Sequence, residues 1–220
     1  MKFRCERDVL VDALGTAGRA ATSRAALPVL SGLRLQLSGD QLRITGSDLD
    51  LTITRSLSVA GAEDGVAVLP AKLAVDIVRA LEPGGVEVDT SGDRPSIRAG
   101  RSEFFLNAIP ADEYPNPHEP DGQSVTLQSG HLADGLRQVV GAASSDESRP
   151  ILTGVLLAAE DGGLRLVSTD SYRLAYRDLP GTSLLEQGQQ VLVPSRSPQE
   201  MTRALGQDDD VTLDLSEQMV

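Results

Sequence analysis

The sequence predicts an α+β protein in which a strand-helix-strand-strand-strand half is used repeatedly, with helices on one face of antiparallel sheets. Three observations predict it. First, the chain of 220 residues repeats itself at an offset of 122: Pro28, Leu30, Gly32, Leu35, Leu42, Arg43 and Asp48 recur as Pro150, Leu152, Gly154, Leu157, Leu164, Arg165 and Asp170. Seven identities over the 21 ungapped positions 28–48 compare with about one or two expected from average usage. Second, short alternating segments bounded by Gly, Ser and Asp recur along the chain, the pattern of half-buried strands. Third, each copy holds two stretches of helical periodicity, each preceded by one strand.

The first copy opens with a strand near Lys2–Glu6. A helix follows over Asp8–Ala17, because Val9, Leu10, Ala13, Leu14 and Ala17 fall in an i, i+1, i+4, i+5, i+8 stripe. Alternation then predicts strands at Gly32–Leu37, Gln41–Thr45 and Leu49–Thr54, divided by Ser-Gly-Asp and Gly-Ser-Asp turns. A strand at Gly65–Leu69 feeds a second helix that begins after Pro70, carries Leu73, Ile77, Val78 and Leu81, and stops at Pro83-Gly84-Gly85. Strands at Val86–Asp89, Ser96–Ala99 and Glu103–Asn107 complete the copy.

Four prolines within Ile109–Ser124 suit an extended connector. Domains are therefore expected at 1–115 and 125–220, joined by 116–124. The second copy starts at Val125 and predicts a helix at His131–Ala142, strands at Gly154–Ala159, Leu164–Ser168, Tyr172–Arg177 and Gln190–Val193, a helix at Ser197–Leu205 and a strand at Val211–Leu215. No counterpart of Ser96–Tyr114 follows. The second domain is thus expected to be incomplete, and the chain to be a truncated piece of a longer protein.

Composition narrows the function classes. Apolar residues make up 40% of the chain but aromatics only 3%, with no Trp, so the cores must be filled by Leu, Val, Ile and Ala. A net charge of −12 excludes a protein that coats nucleic acid with its whole surface, and leaves room for one basic face. The single Cys5 excludes an internal disulfide, and with only His118 and His131 beside it no zinc site is expected. Cys5 sits in an alternating strand and is expected to pack in the core. No cofactor is expected either. No apolar run approaches the roughly 18 residues of a membrane span, and MKFRCERDVL carries charges where a signal peptide needs apolar residues; a cytoplasmic protein is expected.

No catalytic constellation stands out. Asp48 and Asp170, at equivalent positions in GSDLD and STDSYR, admit two readings, an acid/base pair or a pair of turn caps that accept backbone N–H bonds. Recurrence at the same point of the repeat favours the caps. Tyr172 and Arg173, within STDSYRLAY, either anchor a bound peptide or pack on the sheet. Arg19, Arg24, Lys72, Arg79, Arg137, Arg196 and Arg203 sit on or beside predicted helices, where they could face phosphates or be solvated side chains.

Read together, MKF, SRAALPVLSGLRL, ITGSDLDL, LPAKLAVDIVRAL, GRSEFFLNAIPADEYP, SRPILTGVLL and STDSYRLA resemble the bacterial DNA polymerase III sliding clamp, its beta subunit, along all 220 residues. That resemblance implies the DNA-clamp fold, three such domains per chain, and two chains joined head to tail in a ring with helices lining the hole. It implies a non-catalytic processivity subunit that encircles double-stranded DNA without reading sequence and tethers the replicative polymerase, clamp loader and repair proteins through short linear motifs. This chain would supply the first domain and most of the second, with the third absent. Arg24 matches the DNA-contacting position, with Lys72, Arg137 and Arg196 as further candidates. Leu152, Thr169, Ser171, Tyr172, Arg173 and Leu174 match the partner-peptide pocket, Ser171 and Tyr172 standing where other members often have Gly-His. Phe104 and Leu106 match the edge that meets the partner chain in the homodimer. The alternative is a peptide-motif-binding adaptor fragment without ring function.

Overall fold

Helix α1 (Arg7–Gly18) forms where Leu10, Ala13, Leu14 and Ala17 share one side, and burying that side organises the first half of the chain. Helix α2 (Ala71–Ala80) lies against it and buries Ala74, Ile77 and Val78. The two helices are tied at one end by Arg7, whose guanidinium donates to the carbonyls of Leu81 at 3.0 Å and Arg79 at 3.3 Å. A cation there satisfies acceptors that the end of α2 leaves open and complements its dipole. The computed structural model describes residues 1–21, 27–92, 94–115, 123–160, 162–182, 185, 189–205 and 210–215. Its contacts divide the chain into two units, Met1–Pro117 and His118–Val220.

In the first unit the helices pack on two antiparallel sheets. One has the order β5-β1-β7-β8-β9, formed by β1 (Lys2–Glu6), β5 (Ala60–Glu63), β7 (Gly85–Asp89), β8 (Ser96–Ala99) and β9 (Ser102–Phe105). The other has the order β4-β3-β2-β6, formed by β2 (Gly32–Ser38), β3 (Gln41–Ser47), β4 (Thr52–Ser58) and β6 (Gly65–Pro70). One core joins them: Phe3 and Cys5 from β1, Leu33, Leu35, Leu42 and Ile44 from the second sheet, and Val86, Val88 and Ile97 from the first, all against the helices. Each fully buried leucine of this kind contributes about 1.5–3 kcal/mol, several times a typical exposed ion pair, so the core rather than the surface charges holds the unit. Burial also pushes the Cys5 thiol up.

Helix and sheet approach closely at Gly46, where a Cβ would stand 2.1 Å from the Ala17 carbonyl oxygen. Only glycine fits there. The repeat-equivalent Ser168 instead donates from its Oγ to the carbonyl of Val139, the equivalent of Ala17. One contact is made by absence of a side chain and its sibling by a hydrogen bond.

The second unit holds α3 (Ser129–Val139) and α4 (Arg196–Ala204), a four-stranded sheet β13-β12-β11-β14, and a two-stranded sheet β10-β15. Its strands are β10 (Gln123–Gln128), β11 (Gly154–Glu160), β12 (Gly163–Thr169), β13 (Leu174–Pro180), β14 (Gln190–Pro194) and β15 (Asp210–Leu215). The register repeats: Gly32 faces Pro70 and Arg34 faces Val68 in the first unit, as Gly154 faces Pro194 and Leu156 faces Leu192 in the second. Among the described residues β8 and β9 have no counterparts here. Accordingly Val125, Leu127, Val211 and Leu213 are only partly buried, whereas Phe3, Cys5, Val86 and Val88 are buried in the first unit.

Several sequence expectations are corrected. The strands expected from Leu49 and Tyr172 begin at Thr52 and Leu174, because the residues before them form capped turns. Strand β5 was not anticipated, since Ala-Gly-Ala-Glu lacks any apolar alternation. Val9 and Leu73, placed in the buried stripes, are about half exposed. The connector is not extended at its start: Ile109 and Tyr114 fold back onto the first unit. Leu106 is 1% exposed and lies in the core, so it cannot serve as an edge contact. Strand β9 ends at Phe105, alternation ends with it, and the Leu106 amide turns to donate to the Pro95 carbonyl at 2.8 Å. Phe104 and Phe105, 41% and 51% exposed, are the apolar groups at that edge. Among the described residues no helix is long and apolar enough to cross a membrane.

Asp89 offers an acid-sensitive contact. Donation from the Ser91 hydroxyl and amide, followed by Lys2 at 3.3 Å, lowers its pKa to about 2 from an ordinary value of 3.8. Because the folded pKa is depressed, the contribution is present above about pH 4 and lost as pH falls towards 2. Ser91→Ala should flatten the loss of stability across that window in urea titrations; an unchanged pH profile would rule out this contact as its source.

Candidate functional site

The loop between β12 and β13 is built by Asp170. Its Oδ1 accepts the amides of Tyr172 at 3.0 Å and Arg173 at 2.9 Å, and these bonds, Arg173 first, hold its carboxyl below the usual range. Asp48 does the same in the first unit, accepting the amides of Asp50 at 3.1 Å and Leu51 at 2.8 Å. Both aspartates are therefore turn caps, and the acid/base reading falls away.

The match goes deeper. Leu49 and Ser171, one repeat apart, are the two non-glycine residues with positive φ among those described, at 84° and 77°. Left-handed backbone strains any residue with a Cβ, so it persists here because the cap and the flanking hydroxyls determine it. Ser47 accepts from the Leu49 amide and Thr169 from the Ser171 amide, at 3.2 and 3.1 Å. The same strain explains why glycine suits the position of Ser171.

From this turn the second unit builds a surface that the first does not. Tyr172, lifted by the left-handed residue before it, is 95% exposed. Arg173 runs back from the turn, bonding Asp170 Oδ2 at 3.0 Å and the Gly141 carbonyl at 2.6 Å, which fastens the turn to the segment after α3. The Thr169 hydroxyl closes the loop on the Arg173 carbonyl at 2.7 Å. Leu174 and Tyr176 alternate outward along β13, both mostly exposed, and the Arg165 guanidinium lies 5.5 Å above the Tyr176 ring. Leu152, half-buried, ends the short 3-10 turn Pro150–Leu152. Arg149, held by Asp146 at 2.9 Å, reaches the Ser171 hydroxyl at 3.4 Å and links that turn to this one.

The structure thus brings Thr169, Ser171, Tyr172, Arg173 and Leu174 onto one turn, with Leu152 joined to it through Arg149. Sequence reasoning missed Arg149, Ile151 and Tyr176. Ile151, 75% exposed, stands where the first unit has Val29, 2% exposed, and nothing in the residue type announces that difference. Tyr176 could have been found by continuing the alternation from Tyr172 and Leu174.

The basic candidates lie on the helices. Lys72 and Arg196 are exposed at equivalent first-turn positions of α2 and α4. Arg137 is exposed on α3 and paired to Asp134 one turn back. Arg79–Asp76 and Arg203–Glu200 repeat that i,i+3 pairing. Arg24 lies outside the described residues.

Two family models match the chain: the DNA polymerase III beta subunit N-terminal domain over residues 1–118 and its central domain over 126–220. The beta sliding clamp of Streptomyces coelicolor is 35% identical over 223 residues, covering 98% of this chain and 58% of that protein. That of Bacillus subtilis is 33% identical over 215 residues, covering 93% and 57%. A crystal structure of the Bacillus subtilis DNA polymerase sliding clamp superposes with a TM-score of 0.92 at 32% identity, covering 99% of this chain and 60% of that one. A Pseudomonas aeruginosa sliding clamp bound to griselimycin gives 0.92 at 30% identity, with the same coverage. The chain therefore spans just under three-fifths of the length of these relatives.

Replacing either strained residue by glycine relieves the backbone. Leu49→Gly and Ser171→Gly are each expected to raise unfolding free energy by roughly 0.5–1 kcal/mol. Denaturant midpoints check this, and a drop in both would show that the side chains, not the backbone, hold these turns.

Proposed function

This chain belongs to the DNA polymerase III beta subunit family, and we propose that it forms the first domain and most of the second domain of a sliding clamp, a non-catalytic processivity factor acting in the cytoplasm. Domain boundaries at 1–115 and 125–220, with 116–124 connecting them, and a further domain beyond those in this chain, complete that reading. The observation that carries it is the agreement of both units, in order and over nearly every residue, with relatives called sliding clamps.

In such a protein DNA is held by enclosure, so contacts to phosphate need only be weak and independent of sequence. The paired helix charges suit this. Exposed i,i+3 ion pairs contribute at most about 0.5 kcal/mol, so Arg137 can exchange its carboxylate for a phosphate at little net cost. Lys72, Arg196 and Arg24 supply the remaining contacts. The turn bearing Tyr172, Arg173 and Leu174, with Leu152 beside it, takes short linear motifs from the replicative polymerase, the clamp loader and repair proteins. A shallow surface with a few apolar anchors serves many competing partners. Phe104 and Phe105, with Arg94 5.5 Å from the Phe105 ring, form the edge through which the homodimer ring closes.

A chimera in which residues 1–215 replace the matching part of the Bacillus subtilis clamp tests enclosure directly. Loaded on circular DNA it should be retained at moderate salt and lost on linearisation; equal loss from both forms, with the chimera folded by circular dichroism, would reject the proposal. In the same chimera Lys72→Ala should lower the slope of log affinity against log salt by about 0.9. Asp134→Asn, which releases Arg137, should strengthen binding.

A further inference from the structure

Of the 20 basic residues in the chain only two, Lys2 and Lys72, are lysines. A guanidinium keeps its proton throughout the working pH range, whereas an amine can lose one and attack a carbonyl carbon. Acyl chemistry on the basic surface is therefore confined to three nitrogens: the Nζ atoms of Lys2 and Lys72 and the amine of Met1.

Two of the three are held. The Met1 amine belongs to a residue only 5% exposed and faces Glu63 Oε1 at 3.8 Å. Gly65 packs so closely on it that a Cβ there would stand 3.3 Å from the Met1 nitrogen. Lys2 lies between Glu87 Oε1 at 3.0 Å and Asp89 Oδ2 at 3.3 Å, and Arg98 braces Glu87 from the other side at 2.7 Å. The carboxylates, Glu87 first, raise the Lys2 pKa and keep it an ammonium, which has no lone pair to give.

Lys72 is placed differently. It is exposed on the first turn of α2, and among the described residues none forms an ion pair with it. Asp76, one turn further on, pairs with Arg79 instead. The counterpart of Lys72 in the second unit is Arg196, and the other two residues proposed for phosphate contact, Arg24 and Arg137, are also arginines. One of those four charges can thus be removed by acyl transfer, and three cannot.

We propose that Lys72 is an acyl-acceptor site, modified by a small acyl phosphate in preference to the other amines of the chain, and that this modification discharges one phosphate contact on the helix face. The neutral Nζ attacks the acyl carbon and a C–N bond forms as the C–O bond to phosphate breaks. Inorganic phosphate leaves with the bonding pair, and the surplus Nζ proton passes to water. A neutral amide remains. The site itself rests on the placement of the three amines, and its effect on DNA rests on the clamp reading.

Acetyl phosphate added to the 220-residue protein, followed in time by peptide mass spectrometry, ranks the amines. An α-amine ordinarily reacts before any lysine, because it deprotonates at lower pH. The expected order here is Lys72 first, at least about tenfold faster than Lys2 or Met1, the ratio that one pKa unit of deprotonation gives. Glu87→Gln combined with Asp89→Asn should raise the Lys2 rate about tenfold, and Lys72→Arg should leave no fast site. Lys2 or Met1 labelled as fast as Lys72, or a Lys2 rate that ignores loss of both carboxylates, would overturn the proposal. In the Bacillus subtilis chimera, Lys72→Gln, which ends in the same kind of neutral amide, should lower the slope of log affinity against log salt by about 0.9. An unchanged slope beside selective labelling would overturn the effect on DNA. Retention on circular DNA does not hang on this one charge, so it tests the clamp reading separately.

Discussion

A strand-helix-strand-strand-strand half has one apolar sheet face and one apolar helix stripe, and it cannot shield both from water alone. Pairing two halves solves this. In the first unit α1 and α2 lie side by side, and the residues between them, Leu10, Leu14, Ala74 and Val78, belong to the same core as both sheets. Everything else is attached to that closed body: the Arg7 bridge to the end of α2, the Gly46 contact beneath the end of α1, and the turns at the far edge of the sheet. The second unit repeats the helix pair and the larger sheet, while its smaller sheet has two strands among the described residues. Its core is correspondingly less shielded on that side.

Duplication also shows how a new surface arises without a new fold. The capped turn is the same in both units down to the left-handed residue and the hydroxyl that supports it. The differences sit on top of it. Leu51 becomes Arg173, which reaches the Gly141 carbonyl, and Val29 becomes the uncovered Ile151. A repeated scaffold with a few altered side chains leaves Tyr172 and Leu174 exposed beside the turn, to which Arg149 links the turn that ends at Leu152.

Much of this was legible in the residues, because the repeat aligns turn signals and apolar alternation twice and each copy supports the other. Apart from β5, the strands from Gly32 to Asp89 and from Gly154 to Leu215 lie within a few residues of their predicted places, and the turn role of Asp48 and Asp170 followed from their recurrence. What failed did so for local reasons. Alternation cannot tell a capped turn from the first residues of a strand, so Leu49 and Tyr172 were placed in strands. Nor does it mark where a strand ends, so Leu106 was given the phase of Phe104. The connector's prolines predicted extension, but Ile109 and Tyr114 find an apolar cradle whose existence depends on tertiary structure. Exposure of Ile151 is likewise a property of what surrounds it, not of isoleucine.

Under the proposed clamp function, the pairs Arg79–Asp76 on α2, Arg137–Asp134 on α3 and Arg203–Glu200 on α4 would bear on mobility along DNA. A helix face of bare cations would grip phosphates in discrete, deep positions and turn the duplex into a rough track. Where an arginine already holds a carboxylate one turn away, as Arg79, Arg137 and Arg203 do, leaving one phosphate for the next would be an exchange between near-equal partners. In a clamp so built, the energy surface along the DNA axis would flatten towards thermal energy, and movement would approach the limit set by hydrodynamic drag rather than by contact lifetime.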